Sequence, residues 1–266
     1  MEVADIVKAS GIQLGLGLIG IGKPWGHVPR PVPSESEVQE LLAAAVELGI
    51  LYFDTAPSYG DGVSELRLGR FLRSLTTAER DRLTIATKMG EHWDAARGEP
   101  FADHSYDALR RSLDASMERL GRIEILQLHK TTPAALRSDA VARAWDYARS
   151  LGIARWGPSV SDAESAGIAL DDGRYSVMQL PFSQANTSFA PVLERARAAA
   201  MWVAVNRPFA MGAMVHAGAD KAAALRFILD RGFTGAILTG TTSPDHLREN
   251  VEAFAAALSA SNRLPQ

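Results

Sequence analysis

ILYFDTAPSYGDGVSELRLGRFLRSL, residues 50–75, holds the pattern on which the fold is read. It opens on a short apolar run, Ile50–Asp54, and breaks into an irregular stretch of proline, serine and glycine. It then resumes as an amphipathic, helical pattern over Ser64–Leu75. The same unit recurs from one end of the chain to the other. Strands are expected around Leu14–Ile19, Ile50–Asp54, Leu83–Lys88, Ile125–His129, Ala154–Ser159, Val177–Leu180, Trp202–Asn206 and Ala236–Gly240. Their near-continuous apolar character suits strands buried on both faces. Helices are expected over Glu35–Leu48, Ser64–Leu75, Tyr106–Leu120, Asp139–Ser150, Ala163–Leu170, Ala190–Ala199, Asp220–Asp230 and Pro244–Leu258.

Several helix starts are signed in the sequence. Ser34 and Glu37 have capping-box spacing. Ser243-Pro244-Asp245 offers an N-cap, a proline at the first helical position and an acid in the first turn. Eight strand–helix units without a linker-like composition shift imply an α/β fold, a (β/α)8 TIM barrel forming a single domain over residues 1–266. An open doubly wound sheet is the alternative. The run Gly15-Leu16-Gly17-Leu18-Ile19-Gly20 imitates a dinucleotide fingerprint, but its spacing is wrong and no helix is expected directly after it.

Bulk properties narrow the function. The chain has 266 residues, 47% of them hydrophobic, and a net charge of −3. That is enough for one large core, and it leaves no basic footprint for nucleic acid or an anionic membrane. No apolar stretch is long enough to span a bilayer, and Met1–Asp5 lacks the layout of a secretion signal. Without cysteine there are no disulfides, cysteine nucleophiles or cysteine metal ligands, and no metal motif is found. A cytoplasmic globular protein, monomeric or a small homo-oligomer, is the expectation.

The strand ends carry the chemistry. Strand two closes at Asp54, three at Lys88, four at His129, five at Ser159, six near Gln179, seven at Asn206-Arg207 and eight at Gly240-Thr241-Thr242. In a barrel these ends converge on the catalytic face. Taken singly, Asp54 reads as a turn cap, Lys88 as a surface lysine, His129 as a half-buried histidine and Tyr59 as an aromatic lid. Gathered at one mouth, the four make a proton-delivery set. A lysine cation favours the phenolate and lowers the phenol's pKa, a carboxylate keeps the lysine charged, and a neutral histidine donates a hydrogen bond to a carbonyl oxygen. The set lacks a reductant, so a cofactor must supply hydride.

DTAPSYGDGVSELRLG, ATKMG, EILQLHK, GPSVS, VMQLPF and LTGTTSPDHLREN resemble, in the same order along the chain, segments of the aldo-keto reductase family. The resemblance implies a TIM barrel that reduces aldehydes and ketones, or oxidises the alcohols, with NADP(H) and less often NAD(H). It implies Asp54, Tyr59, Lys88 and His129 as the catalytic tetrad, with Tyr59 the general acid. The cofactor would meet Gly17, Leu18, Ser159, Gln179, Asn206, Arg207, Pro208 and Phe209. Its adenosine end would meet Gly240, Thr241, Thr242, His246, Glu249 and Asn250. Ile19, Trp25 and Trp93 would line the pocket for a small-molecule carbonyl substrate. Two positions depart from the family pattern: Val160 stands where a carboxamide-binding asparagine is common, and Asn206 where an aromatic ring usually stacks on nicotinamide. NADP specialists often have a lysine where Gly240 stands and an arginine where His246 stands, so only a modest, about tenfold, NADP(H) preference is expected, a difference of about 1.4 kcal/mol. The stretch Ala257–Gln266 is too short for a long substrate-gripping tail. A redox-sensing regulatory subunit is the main functional alternative, and a barrel isomerase or lyase without nicotinamide a further one.

Overall fold

A computed structural model describes residues 11–94 and 96–261 of the chain. Met1–Asp5, the outer part of the 1–266 span and the end of the Ala257–Gln266 stretch lie outside the described residues. Eight parallel strands form the barrel: β1 (Ile12–Gly17), β2 (Tyr52–Asp54), β3 (Thr84–Met89), β4 (Ile125–Leu128), β5 (Arg155–Pro158), β6 (Val177–Pro181), β7 (Trp202–Asn206) and β8 (Thr234–Thr239). Their order is β5-β4-β3-β2-β1-β8-β7-β6. A parallel bridge between Ser159 and Gln179 links the two ends. Val160 N donates to Gln179 O at 2.8 Å and Ser176 N to Trp156 O at 3.1 Å across the same seam. The ring of strands removes the open-sheet alternative.

Eight main helices wrap the strands: α1 (Glu35–Glu47), α2 (Val63–Ser74), α3 (Tyr106–Leu120), α4 (Asp139–Ser150), α5 (Ala163–Asp171), α6 (Ala190–Ala198), α7 (Lys221–Leu229) and α8 (Pro244–Ala260). The Ser34 capping box forms, with Glu37 N donating to Ser34 Oγ and Ser34 N to Glu37 Oε2. Ser243 caps α8 and Pro244 opens it.

The differences from the sequence reading sit at element ends. β1 stops at Gly17 rather than Ile19, because a helical turn, Ile19–Gly22, begins there. A short helix therefore does follow the glycine-rich run. Beyond β3 the chain forms a small antiparallel hairpin, Glu91–Asp94 with Glu99–Ala102, which the apolar pattern does not announce. Its strands are short, and the second is exposed along its whole length.

Alternation along the strands explains how the site arises. Successive strand side chains face opposite sides. Tyr52, Ala86, Ile125, Val177, Ala204 and Ala236 pack together in one small apolar cluster. Their neighbours Phe53, Leu126, Met178, Val205 and Ile237 belong instead to the larger core shared with the helices. Two residues after the first five of these come Asp54, Lys88, Gln127, Gln179 and Asn206, while Leu238, two after Ala236, stays apolar. The inward layer thus changes from apolar to polar one step along the strands, toward their carboxyl ends.

Candidate active site

Asp54 is the hub of that polar layer. Lys88 Nζ donates to Asp54 Oδ1 at 2.6 Å and to the Thr55 carbonyl at 2.8 Å. Gln179 Nε2 donates to Asp54 Oδ2 at 2.9 Å, with Gln127 Nε2 at 3.4 Å from the same oxygen. Ser159 Oγ donates to Gln179 Oε1 at 3.0 Å. Lys88 is fully buried. Burial alone would discharge it, yet Asp54 and Tyr59 hold its pKa above the ordinary lysine value. The ammonium sits 5.0 Å from the centroid of the Tyr59 ring.

Tyr59 reaches this point on an irregular loop whose path depends on a glycine contact. A Cβ on Gly60 would lie 2.0 Å from the Gly22 carbonyl oxygen, and Gly60 has a φ of +71°. Only glycine lets the loop press against the helical turn after β1 in that conformation. The His129 ring stands edge-on to Tyr59, with centroids 6.3 Å apart. Burial raises the Tyr59 pKa; Lys88 pulls it back only in part, and Asp54 pushes it further up. The expectation that lysine leaves the phenol more acidic than usual is therefore corrected: desolvation of the phenolate outweighs the nearby cation.

His129 has a neighbour that the sequence reading missed. Its Nδ1 lies 3.0 Å from Glu91 Oε2, off the line of a well-directed hydrogen bond. Glu91 is only 5% exposed, at the start of the hairpin. Ser58 Oγ donates to its Oε2, and Lys130 Nζ lies 3.0 Å from its Oε1. Burial opposes the Glu91 charge, but His129, Ser58 and Lys130 together hold its carboxyl well below the usual range. Burial is also the main reason that the His129 pKa falls below its ordinary value, against the pull of Glu91.

These groups open on a cavity of about 730 Å³. Its lining includes Asp54, Tyr59, His129, Ser159, Gln179 and the run Asn206–Phe209. Gly17, Leu18, Ile19 and Trp25 border it from the β1 side. Gly240, Thr241, Thr242, His246, Glu249 and Asn250 border it at the start of α8. Lys88 lies beneath this lining. Trp93 does not reach the cavity; it pairs with Pro100 in the hairpin. The cavity also takes in residues not singled out in the sequence, among them Glu91, Lys130 and Lys221. Lys221 pairs with Glu249 at 2.7 Å. It opens α7 in a run of alanines, where a lysine reads as a solvated helix start.

The dimensions and polarity of the cavity suit a nicotinamide nucleotide. Its lining runs from the Tyr59–His129 corner to the amino end of the 17-residue helix α8. Asn206 Oδ1 and Thr239 Oγ1, both on lining residues, are buried without a hydrogen-bond partner in the protein. Such orphans call for a ligand. Among the described residues no cluster of His, Asp and Glu could hold a metal ion, and no helix is long and apolar enough to cross a membrane.

Residues 13–221 match the family model for the aldo/keto reductase family. The chain is 32% identical to D-threo-aldose 1-dehydrogenase from a Pseudomonas species over 63% of this chain and 58% of that one. It is 28% identical to pyridoxal 4-dehydrogenase of Microbacterium luteolum over 91% of this chain and 89% of that one. A crystal structure from Pseudomonas aeruginosa, described as an aldo-keto reductase, is 31% identical and superposes with a TM-score of 0.78 over 92% of this chain and 90% of that one. An aldo-keto reductase of Klebsiella pneumoniae in complex with NADPH shares the fold, with a TM-score of 0.72 at 20% identity over 94% of this chain and 87% of that one. With the strand-end layer, the barrel and the match to the family model in agreement, the chain belongs to the aldo/keto reductase family.

Proposed function

We propose that the protein is a nicotinamide-dependent oxidoreductase that interconverts aldehyde or ketone carbonyls and the corresponding alcohols, with NADP(H) the preferred nucleotide and NAD(H) possible. The buried Lys88–Asp54 pair beneath Tyr59, at 2.6 Å, carries the reading. Bound nicotinamide supplies or accepts the hydride. Tyr59 donates the proton to the oxygen of the carbonyl being reduced. Because burial keeps the phenol protonated past neutrality, it is present as the acid at working pH. Lys88 steadies the phenolate that remains, and Asp54 keeps Lys88 charged. Ser159 and Gln179 hold the nicotinamide side, with the unpartnered Asn206 amide oxygen available to it. Gly240–Thr242 and the start of α8 receive the phosphate-bearing adenosine end.

Relatives named as dehydrogenases support turnover rather than sensing, and the regulatory reading loses its ground. The same oxidoreductase reading places the protein in the cytoplasm. The test mixes the protein with NADPH or NADH and a panel of aldehydes that includes nitrobenzaldehydes. Consumption of reduced nucleotide that depends on both substrate and Tyr59 is expected. A folded, nucleotide-binding protein that stays silent over the panel in both directions would overturn the assignment.

A further inference from the structure

Glu91 occupies a position that nothing in the strand-end pattern foreshadows. It follows Gly90, whose φ is +103°. A Cβ on Gly90 would lie 2.6 Å from the His104 ring and 3.2 Å from the His129 carbonyl oxygen. The turn at Gly90 thus brings Glu91 against the end of β4. Lys130 also sits in the left-handed region, with a φ of +51°, and its ammonium lies 3.0 Å from the Glu91 carboxylate.

The chemistry of the 3.0 Å approach between His129 Nδ1 and Glu91 Oε2 is restrictive. A carboxylate oxygen and an unprotonated imidazole nitrogen are both lone-pair acceptors and repel at that distance. A proton between the two atoms offsets that repulsion, even though the contact is bent away from the ideal hydrogen-bond line. Ser58 and Lys130 already favour the ionised carboxylate, so the proton belongs to Nδ1. A neutral imidazole carries one N–H only. With Nδ1 protonated, Nε2 has a lone pair and cannot donate to a carbonyl oxygen. His129 can donate from Nε2 only as the imidazolium.

We propose that Glu91 is a positioning residue that fixes the Nδ1–H tautomer of His129 and makes the charged imidazole, not the neutral one, the form that hydrogen-bonds a carbonyl during reduction. This rests on the reading of His129 as a partner of the reacting oxygen, and it replaces the neutral donor expected from sequence. Tyr59 remains the acid. The groups around His129 are few: Glu91 from the hairpin, Lys130 beside it, Lys88 and Tyr59 at the cavity corner with Asp54 behind Lys88, and His104, whose Nε2 lies 2.8 Å from the His129 carbonyl oxygen. Glu91 is the carboxylate in contact with the ring.

Two readouts test the proposal, and the first needs neither nucleotide nor turnover. In protein labelled with ¹⁵N-histidine, the neutral His129 ring is expected as the Nδ1–H tautomer. In Glu91→Gln, whose amide can donate to Nδ1, it is expected to switch to Nε2–H. The pH profile of carbonyl reduction supplies the second readout. The wild-type rate falls as pH rises through the His129 titration, whereas Glu91→Gln keeps a donor at Nε2 and loses most of that fall. Glu91→Asp keeps a carboxylate and should restore the Nδ1–H form. An Nε2–H tautomer in the neutral wild type overturns the proposal whether or not Glu91→Gln folds. So does a Glu91→Gln variant with the wild-type tautomer and profile. An inactive protein that nevertheless shows the tautomer switch would defeat the assigned reaction while leaving the Glu91–His129 pairing in place.

Discussion

Strand β3 carries one carboxylate-linked residue on each of its two faces, and the consecutive residues Thr87 and Lys88 separate them. Lys88 points into the barrel and meets Asp54. Thr87 points toward the helices, where its hydroxyl donates to Glu65 Oε1 at 2.5 Å while Arg119 Nη1 donates to Glu65 Oε2 at 2.8 Å. Both carboxylates are buried and both have a cation at hydrogen-bonding distance. They differ in what lies beside them. Asp54 and Tyr59 open on the cavity, whereas Glu65 and Arg119 tie α2 to α3 behind the strand. A buried ion pair is therefore no signature of catalysis. The face of the strand decides, and period-two alternation assigns the face.

Breaking each pair in turn puts this contrast to the test. Lys88→Met should have the largest consequences. It removes the cation beside the phenol and leaves Asp54 buried without its counter-charge, a change that costs about 3–5 kcal/mol in such sites. Turnover should fall at least about 10²-fold, the scale of losing general-acid support, together with a clear drop in Tm. Arg119→Met also leaves a buried carboxylate, Glu65, without its counter-charge, so Tm should fall here too, but turnover per folded molecule should stay within about twofold, a barrier change of about 0.4 kcal/mol. Comparable losses of turnover in both variants would erase the distinction between the two faces.

Tyr59→Phe isolates the proton from the architecture. The ring and its place over Lys88 remain and only the hydroxyl goes. Nucleotide titration should give an unchanged Kd and the melting curve a Tm close to wild type, while kcat drops at least about 10²-fold. Near-wild-type kcat would remove the phenol as the acid.

The eight-strand pattern is legible in the sequence because a strand buried on both faces has to be a nearly unbroken apolar run, and Ile125–Leu128 or Trp202–Asn206 cannot be much else. The polar residue that ends each run is legible for the same reason. Gln127 is harder to see, since it sits inside such a run and its inward direction needs the register. Glu91 is invisible to this logic: one residue past Gly90, in a charged hairpin, it looks like a solvated loop acid. Only the fold reveals that it is 5% exposed and pressed against His129. The balance that raises the Tyr59 pKa is equally hidden, because sequence names the neighbouring cation but not the depth of burial.

Acid should reveal the buried pair of Glu91 and His129 in the stability of the wild type. The pKa of His129 is lowered in the folded protein, so folding favours its neutral form. That contribution is full above the ordinary value of about 6.5 and is lost as pH falls below it. Glu91 is lowered as well. Its contribution is present above about 4.3 and is lost as pH drops further. Tm should decline first below pH ~6.5 and more steeply below ~4.3. His129→Gln should abolish the first decline and soften the second, which Ser58 and Lys130 then sustain without His129. A Tm that rises on acidification through the first window would mean that the attraction of Glu91 outweighs burial at His129, and a rise through the second would contradict an ionised, partnered Glu91.

The smallest expected effect concerns a third carboxylate–cation pair, Glu249–Lys221, at 2.7 Å. Here the carboxylate is 55% exposed and the lysine 19%, so the pair stands near solvent at the α8 end of the cavity, where the adenosine is proposed to lie. Pairs of that kind contribute about 0–1 kcal/mol. Its interest lies in the charge that it neutralises. The sequence offers neither a lysine at position 240 nor an arginine at 246 to meet a ribose phosphate, and Arg248 is held by Asp245 at 2.7 Å. Lys221 brings a cation to this part of the cavity from a different helix, and Glu249 already occupies it. Glu249→Gln should release that charge and strengthen NADPH binding a few-fold, the factor that about 0.5–1 kcal/mol implies. NADH lacks the extra phosphate, and its Kd should move less. Kd values for both nucleotides, at low and high salt, would measure the change. The gain should shrink as salt screens the partly exposed lysine. Equal gains for NADH and NADPH would mean that Lys221 meets some other part of the nucleotide, and a loss for both would mean that Glu249 itself holds the adenine end.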